Sequence, residues 1–473
     1  MACSNPATTG GAPPRFVYSG YEIDTERAVL RCSYRLGTTE FCEVLRLPAP
    51  AGWSDAAHQA ARLVYLLAGV SYYKTAAPGV IDLGTTPVLA GEVEFLHRFY
   101  LDGLGEFAWR NGLDLHGLRL TGGERTSGGP AGGDPGGTGP KPRTGGRRVL
   151  VPFGGGIDSI VSAELVRRQA EDVSLFVLGP AGGPFAAIEE AARASALPVL
   201  HAERALDPKV LEPAAHGYLT GHVPMTGIVS AIAVLCAVLD GRDTVVMSNE
   251  RSASAGNLVG EHGPVNHQWS KSAEFESAFR LVLARSIGPS VEWFSLLRPC
   301  SELWVAQRFA ALERYHTAFR SCNRAFHLDP GMRLDRWCGR CDKCCFIDLV
   351  LAPFLPPARL SEVFAGREPL EDASLLAKFE TLLGLSPAAK PWECVGDAEE
   401  CRSAAVAAAR RADRTGNPVL AALLAGLGPE AAPAGVAFDE LLLPAGPHHV
   451  PEDLAVVLAP GLGDADFPAA SLV

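Results

Sequence analysis

The chain has 473 residues, 47% of them hydrophobic, and a formal net charge of −11. That length and apolar content support about two to four domains with real cores, and the acidic balance excludes a general nucleic-acid binder. The N-terminus (MACSNPATTGGAPPRF) lacks a basic-then-apolar signal pattern, and the most apolar later run, Gly227 to Leu239, is too short to cross a bilayer. A cytoplasmic protein is expected, with no membrane and no nucleic acid among its partners. There the twelve cysteines read as thiols or metal ligands rather than as disulfides.

Residues 1–120 read as an N-terminal α+β domain. Phe16-Val17-Tyr18 and Ala28 to Tyr34 alternate like antiparallel strands, and helices are expected from about Ser54 to Leu67 and from Glu92 to Asn111. The joining segment GVSYYKTAAP puts Tyr72, Tyr73 and Lys74 in a turn before a strand at Val80 to Leu83. Paired aromatics beside a lysine are more often packing than a ligand contact, so the site reading is the second of the two. Residues 121–146 form a linker: 15 of the 26 are Gly or Pro, a composition that cannot bury enough surface to offset its ordering entropy.

Residues 147–320 alternate strand and helix patterns. Strands are expected at Val149 to Val151, Val173 to Leu178, Val199 to Leu200 and Thr244 to Met247, with helices near 158–171, 184–196 and 226–239. That rhythm predicts an α/β, doubly wound parallel sheet with a ligand crevice at the carboxyl ends of its strands. At that edge Gly154, Gly155 and Gly156 separate a buried strand from a helix opening on Ile157, Asp158 and Ser159. Glycines admit close backbone approach and a helix N-terminus favours negative charge, so the loop suits a phosphate or pyrophosphate. Its spacing fits neither a Walker loop nor a dinucleotide fingerprint.

Asn249, Glu250, Arg251 and Ser252 follow the strand TVVM at the same edge. They place an amide, a carboxylate, a guanidinium and a hydroxyl at the crevice mouth, or else merely begin a helix. Further on, VNHQWSKSAEFE crowds Asn266, His267, Gln268 and Lys271 around two aromatics. If a helix has begun there, His267 and Lys271 share one face, and an imidazole beside an ammonium lowers the proton affinity of both, which suits proton transfer near neutral pH.

Residues 321–350 carry a Cys-rich knot. Cys338, Cys341 and Cys344 follow C-x2-C-x2-C spacing, which brings three thiolates around one tetrahedral structural zinc. Cys322 is the expected fourth ligand, with Cys345, His327 and His316 as rivals. Residues 351–473 begin with a Pro-rich stop (APFLPPARL), continue as helices near 374–383 and 397–413, and read as loosely ordered from about Gly426. Within them Trp392-Glu393-Cys394 reads first as ordinary packing and second as a closure over the site.

Together these words carry a family resemblance. FGGGIDS resembles the S-G-G-x-D-S loop of the N-type ATP pyrophosphatases, with Gly154 in place of the first serine, and with SCN and CGRC it looks like the 7-cyano-7-deazaguanine synthases. The closer resemblance is to the bacterial UDP-N-acetylmuramoyl-L-alanyl-L-glutamate epimerases of peptidoglycan synthesis. It rests on GVSYYKTAAP, FGGGIDS, SNERSAS, VNHQWSKSAEFE, CGRCDKCCFIDLVLAPF and KPWECVGDAEE. Two positions depart from it: Ile157 stands where a lysine is expected, and Cys345 where a basic residue is expected.

The resemblance implies a PP-loop fold of the adenine nucleotide alpha hydrolase-like type and an isomerase. ATP would adenylate the terminal carboxylate of UDP-N-acetylmuramoyl-L-Ala-L-Glu with release of pyrophosphate. The α-carbon, made acidic, would lose its proton and regain one on the other face, and hydrolysis would leave D-Glu and AMP. Gly154, Gly155, Gly156, Asp158 and Ser159 would hold ATP and Mg2+. Asn249, Arg251, Ser252, Asn266 and Gln268 would touch the substrate, and His267, Lys271, Glu250, Tyr73 and Lys74 are the acid and base candidates. A muramoyl ligase that adds L-Glu would be a functional neighbour. A ligase or synthase that traps the adenylate with a nitrogen or sulfur nucleophile is the second reading.

Overall fold

The computed structural model describes residues 14–49, 52–125, 145–327, 330–387, 390–428 and 438–459. The N-terminal part supplies β1 (Phe16–Asp24), β2 (Val29–Leu36), β3 (Thr39–Arg46), α1 (Asp55–Ala68), β4 (Val80–Asp82), α2 (Glu92–Leu101), α3 (Gly105–Asn111) and β5 (Arg119–Thr121). The middle supplies β6 (Arg148–Pro152), α4 (Ile157–Val166), β7 (Asp172–Pro180), α5 (Ala186–Ser195), β8 (Val199–Ala205), α6 (Met225–Leu239), β9 (Thr244–Met247), α7 (Ala273–Ser286) and β10 (Glu292–Ser295). The helices α8 (Glu302–Ala310), α9 (Asp342–Leu351), α10 (Ala398–Ala409) and α11 (Pro418–Leu427) complete the main elements.

These ten strands belong to one mixed, mostly parallel sheet in the order β10-β9-β6-β7-β8-β3-β2-β1-β4-β5. The first five are mutually parallel. Chain order reverses between β6 and β9, the switch point at which sheets of this kind receive their ligands. The N-terminal strands do not form a separate sheet: β8 pairs antiparallel with β3, and the meander β3-β2-β1 carries the sheet onward to β4 and β5. The body of the expected linker, residues 126–144, lies outside the described residues. Its expected first residues are strand, since Thr121 pairs with Asp82 and Glu124–Arg125 pairs with Pro87–Val88. Residues 429–437 and 460–473 of the expected loose tail also lie outside; the stretch between them buries Phe438, Leu441, Val450, Leu454 and Leu458.

Successive side chains of a strand point to opposite faces, so a sheet covered on both sides feeds two cores. Val149 and Val151 enter one, with Ile160 of α4, Trp304 of α8, Phe346 of α9 and Leu420 of α11. Leu150 between them enters the other, with Leu63 of α1 and Ile232 of α6. Among the described residues no helix is long and apolar enough to cross a membrane.

The β8–β3 seam holds a buried ion pair. Arg204 donates from Nε and Nη2 to the two carboxylate oxygens of Glu43 at 2.8 Å each, and Nη2 also reaches Ser71 Oγ at 2.9 Å. Both side chains are at most 7% exposed, so removing one partner strands a desolvated charge. Glu43→Ala is expected to lower the unfolding free energy by about 3–5 kcal/mol, measured as a fall in the denaturant midpoint. Adding Arg204→Met to it should recover much of the loss.

Candidate active site

The glycine loop joins β6 to α4 at the switch point. Gly155 has φ +73°, and a Cβ added there would lie 3.2 Å from the Ala187 carbonyl oxygen and from Ile188 Cα. Glycine is therefore required by backbone conformation and by space. Gly154 is exposed and a Cβ there meets nothing, so the absence of serine costs a hydroxyl and leaves the backbone path unchanged. A Cβ on Gly156 would meet Ser321 Oγ at 2.9 Å, which puts the residue before Cys322 against the loop. Ser159 Oγ donates to the Gly156 carbonyl at 3.1 Å. Ile157 is buried in the core.

Asp158 opens α4 with Oδ1 buried and unpartnered. Burial and the Glu250 charge push its carboxyl up to about 7, against the opposing pull of Lys343 and Lys271. Around the same crevice, Asn249 Nδ2, Ser252 Oγ and Gln268 Oε1 are buried without partners. Native interiors leave few such atoms, and a cluster of them marks a place built for a ligand. The Arg251 guanidinium makes no ion pair among the described residues.

One arginine sets the positions of these loops. Arg298, past the end of β10, donates from Nε to Glu276 Oε2 at 2.8 Å, from Nη1 to the Glu250 carbonyl at 2.7 Å and from Nη2 to the Lys271 carbonyl at 2.6 Å. Asn249 N donates to Ser295 Oγ at 2.6 Å, which fastens the same loop to β10. Asn266 holds its own turn by donating to the Ala253 carbonyl at 3.0 Å and accepting from Gln268 N at 2.7 Å.

His267 and Lys271 do not share a helix face. Trp269–Lys271 is a single 3-10 turn, and α7 starts after Ser272, whose Oγ accepts from Phe275 N as N-cap. They meet instead at a third side chain, Cys394. Lys271 Nζ donates to Cys394 Sγ at 3.2 Å, and the His267 imidazole acts electrostatically on the same thiol. Nδ1 of His267 is in short contact with Glu106 Oε2, and the His222 ring lies 4.2 Å from the His267 ring.

This arrangement reverses the expected mutual lowering of proton affinity. Burial disfavours the imidazolium, yet Cys394 and Glu106 raise His267 to about 9. Lys271 is likewise raised, with the Cys394 and Glu250 charges outweighing burial. Burial alone would raise the Cys394 thiol; Lys271, His267 and Lys343 bring it down to about 6. A thiolate between two cations stabilises both, which two cations alone cannot do. Burial and the neighbouring His267 charge push His222 down to about 3.

Of the remaining candidates, Lys74 donates to the Gly221 carbonyl at 2.8 Å, next in sequence to His222, and burial lowers its proton affinity. Tyr73 points into the aromatic core against Phe16 and Tyr100, with its hydroxyl unpartnered. Cys322, Cys338, Cys341 and Cys344 gather with their sulfurs all within 4.8 Å, including separations of 3.6 Å for Cys338–Cys344 and 3.4 Å for Cys341–Cys344. Four zinc–sulfur bonds in a tetrahedron require about 3.8 Å between sulfurs, so the set fits the metal. Cys345 is buried in the adjoining core, and His316 Nε2 faces the Phe309 carbonyl.

Sequence reading singled out neither Glu106, His222, Arg298 nor Lys343, and it took Cys394 first as packing. Only Cys394 and Lys343 carried a signal, their places in the words KPWECVGDAEE and CGRCDKCCFIDLVLAPF. The segment is tied down from two sides: Asn257 Nδ2 donates to the Pro391 carbonyl at 2.9 Å, and Lys343 Nζ donates to the Cys394 carbonyl.

Two family models match the chain, the MurL N-terminal domain over residues 8–296 and the MurL C-terminal domain over residues 318–436. A UDP-N-acetyl-alpha-D-muramoyl-L-alanyl-L-glutamate epimerase of Xanthomonas oryzae pv. oryzae is 39% identical over 93% of this chain and 95% of its own length. Proteins of the same name from Salinispora tropica and a Micromonospora species are each 39% identical, over 97% and 94% of this chain and 97% of their own lengths. With both domains matched in order and relatives aligned from end to end, the chain belongs to the MurL family.

Proposed function

We propose that this protein epimerises the terminal L-Glu of UDP-N-acetylmuramoyl-L-Ala-L-Glu to D-Glu, using ATP to activate the carboxylate. Full-length kinship to epimerases of that substrate supports the reaction. The observation that carries its placement is the set of buried, unpartnered polar atoms on Asp158, Asn249, Ser252 and Gln268 around the glycine loop.

The strand, glycine loop and helix support a PP-loop assignment, in which backbone N–H groups from Gly154 to Gly156 and the start of α4 receive the ATP phosphates. Activation is needed because removing the α-proton beside a free carboxylate would place two negative charges on adjoining atoms. Transfer of AMP to the carboxylate oxygen removes one of those charges and expels pyrophosphate. The orphaned Asp158 oxygen fits Mg2+, which when bound neutralises charge on the departing pyrophosphate. Arg251, with its free planar fork, suits a carboxylate or phosphate of the substrate. Buried amide and hydroxyl groups then orient the glutamyl carbon. A ligase that adds L-Glu to the muramoyl peptide would supply this substrate.

The four-cysteine set supports a structural zinc. Lys343 lies between Cys341 and Cys344 on the first turn of α9, so the knot also places the ammonium that reaches the Cys394 carbonyl.

With the UDP-muramoyl dipeptide, ATP and Mg2+ in D2O, the protein is expected to release AMP and to yield D-Glu bearing α-deuterium. AMP without α-deuterium would return the chain to the ligase or synthase reading. Asp158→Asn should reduce AMP, deuterium and D-Glu together by about 100-fold or more. Metal analysis should find one zinc per chain, absent from Cys338→Ser, which should also show a lower Tm.

A further inference from the structure

Epimerisation needs a group that accepts the α-proton, and most ionisable side chains around the crevice are held in forms that cannot. Lys271 is held as an ammonium by the charges around it, and His267 is held as an imidazolium by Glu106 and Cys394. Low basicity makes His222 a poor acceptor. The Tyr73 phenol is raised by burial in the aromatic core, and Lys74 is committed to the Gly221 carbonyl. Cys394 differs from all of these.

Its sulfur is bracketed by Lys271 Nζ at 3.2 Å and the His267 ring, and its backbone is fixed through Lys343 and the neighbouring Pro391 carbonyl. Behind His267 stands Glu106, itself buried and held on its far side by Arg110 at 3.0 Å. The order Glu106, His267, Cys394 is that of a carboxylate that orients an imidazole which in turn pairs with a nucleophilic atom. The groups acting on the sulfur are Lys271, His267 and Lys343, while Asp158 and Glu393 oppose them from the glycine loop and from its own segment.

We propose that Cys394 is the catalytic base of the epimerase, its thiolate removing the α-proton of the activated glutamyl residue, with Lys271 and the Glu106–His267 pair as positioning residues. The assignment rests on the epimerase reading above. In the step, the carbon–hydrogen bond breaks and a sulfur–hydrogen bond forms. The bonding pair moves toward the activated carbonyl and collects on its oxygen as an enolate. A proton drawn from water adds to the opposite face as the pair returns to carbon, and the thiol gives its proton back to water. A polarisable thiolate needs little hydration and suits a half-buried site better than a bare carboxylate does.

The test uses the full chain with the UDP-muramoyl dipeptide, ATP and Mg2+ in D2O. Cys394→Ala is expected to release AMP within about threefold of wild type while α-deuterium falls by about 100-fold or more. Exchange retained within about tenfold of wild type overturns the assignment, as does an equal loss of AMP and deuterium in a folded variant, since Cys394 would then act before the proton step. Wild-type protein that forms AMP without α-deuterium overturns the epimerase reading itself, which separates the two failures. Should the variant misfold, wild-type protein alkylated by iodoacetamide and mapped by mass spectrometry gives the answer. Modification at Cys394 is expected to abolish exchange and to be slowed by substrate, whereas Cys394-alkylated protein that still exchanges deuterium overturns the proposal. The exchange rate of wild type should rise through about pH 6, and Lys271→Met should move that limb upward toward the ordinary thiol range. An unmoved limb overturns the positioning role.

Discussion

Arg298 is the constraint on which the crevice depends. Its guanidinium is 3% exposed and spends its donors on the Glu276 carboxylate and on the carbonyls of Glu250 and Lys271. Those residues belong to different segments: the loop after β9, the turn before α7, and α7 itself. A planar fork fixes the angles between them as well as their distances. With the Ser295 hydroxyl holding Asn249, the loops at the carboxyl edge are set by the end of β10, an interior strand's neighbour far from them in sequence.

The opposite wall of the crevice comes from the C-terminal region. Helix α9 opens at the cysteine knot, so Lys343 is placed by the same turn that gathers Cys341 and Cys344. Lys343 and Asn257 then hold the Pro391–Cys394 segment against His267 and Lys271. Asn257 serves both walls, since its Oδ1 also accepts from His267 N at 2.9 Å. A four-cysteine knot, a buried lysine and one asparagine thus deliver a single thiol to a site whose glycine loop lies more than 200 positions earlier in the chain.

What the sequence made legible was local. The glycine loop, the strand TVVM and the cysteine spacing each bind their parts within a few residues, and each appears where the pattern put it. The continuity of the sheet was not legible, because the β8–β3 pairing joins strands about 160 residues apart and no local pattern encodes which edge meets which. The proton affinities of His267 and Lys271 were read with the wrong sign for the same reason. Their pairing was visible four residues apart, but the Cys394 sulfur that lies between them comes from over 120 residues downstream. Arg298, Glu106 and His222 gave no signal at all, since a lone charged residue near an element's end looks alike whether it faces water or a partner.

The two-faced sheet has a consequence for how the chain is made. Val149 and Val151 belong to a core whose cover includes α9, α10 and α11, while Leu150 belongs to one whose cover, α1 and α6, has already been synthesised soon after the strand itself. As the polypeptide leaves the ribosome, one face of the parallel strands can therefore close early and the other only in part. On that second face α4 and α8 pack first, and the ground that α9, α10 and α11 cover stays open until translation has passed residue 427, the end of α11. Until then the nascent protein carries this apolar ground, and chaperones and neighbouring chains compete with its own unfinished helices for it.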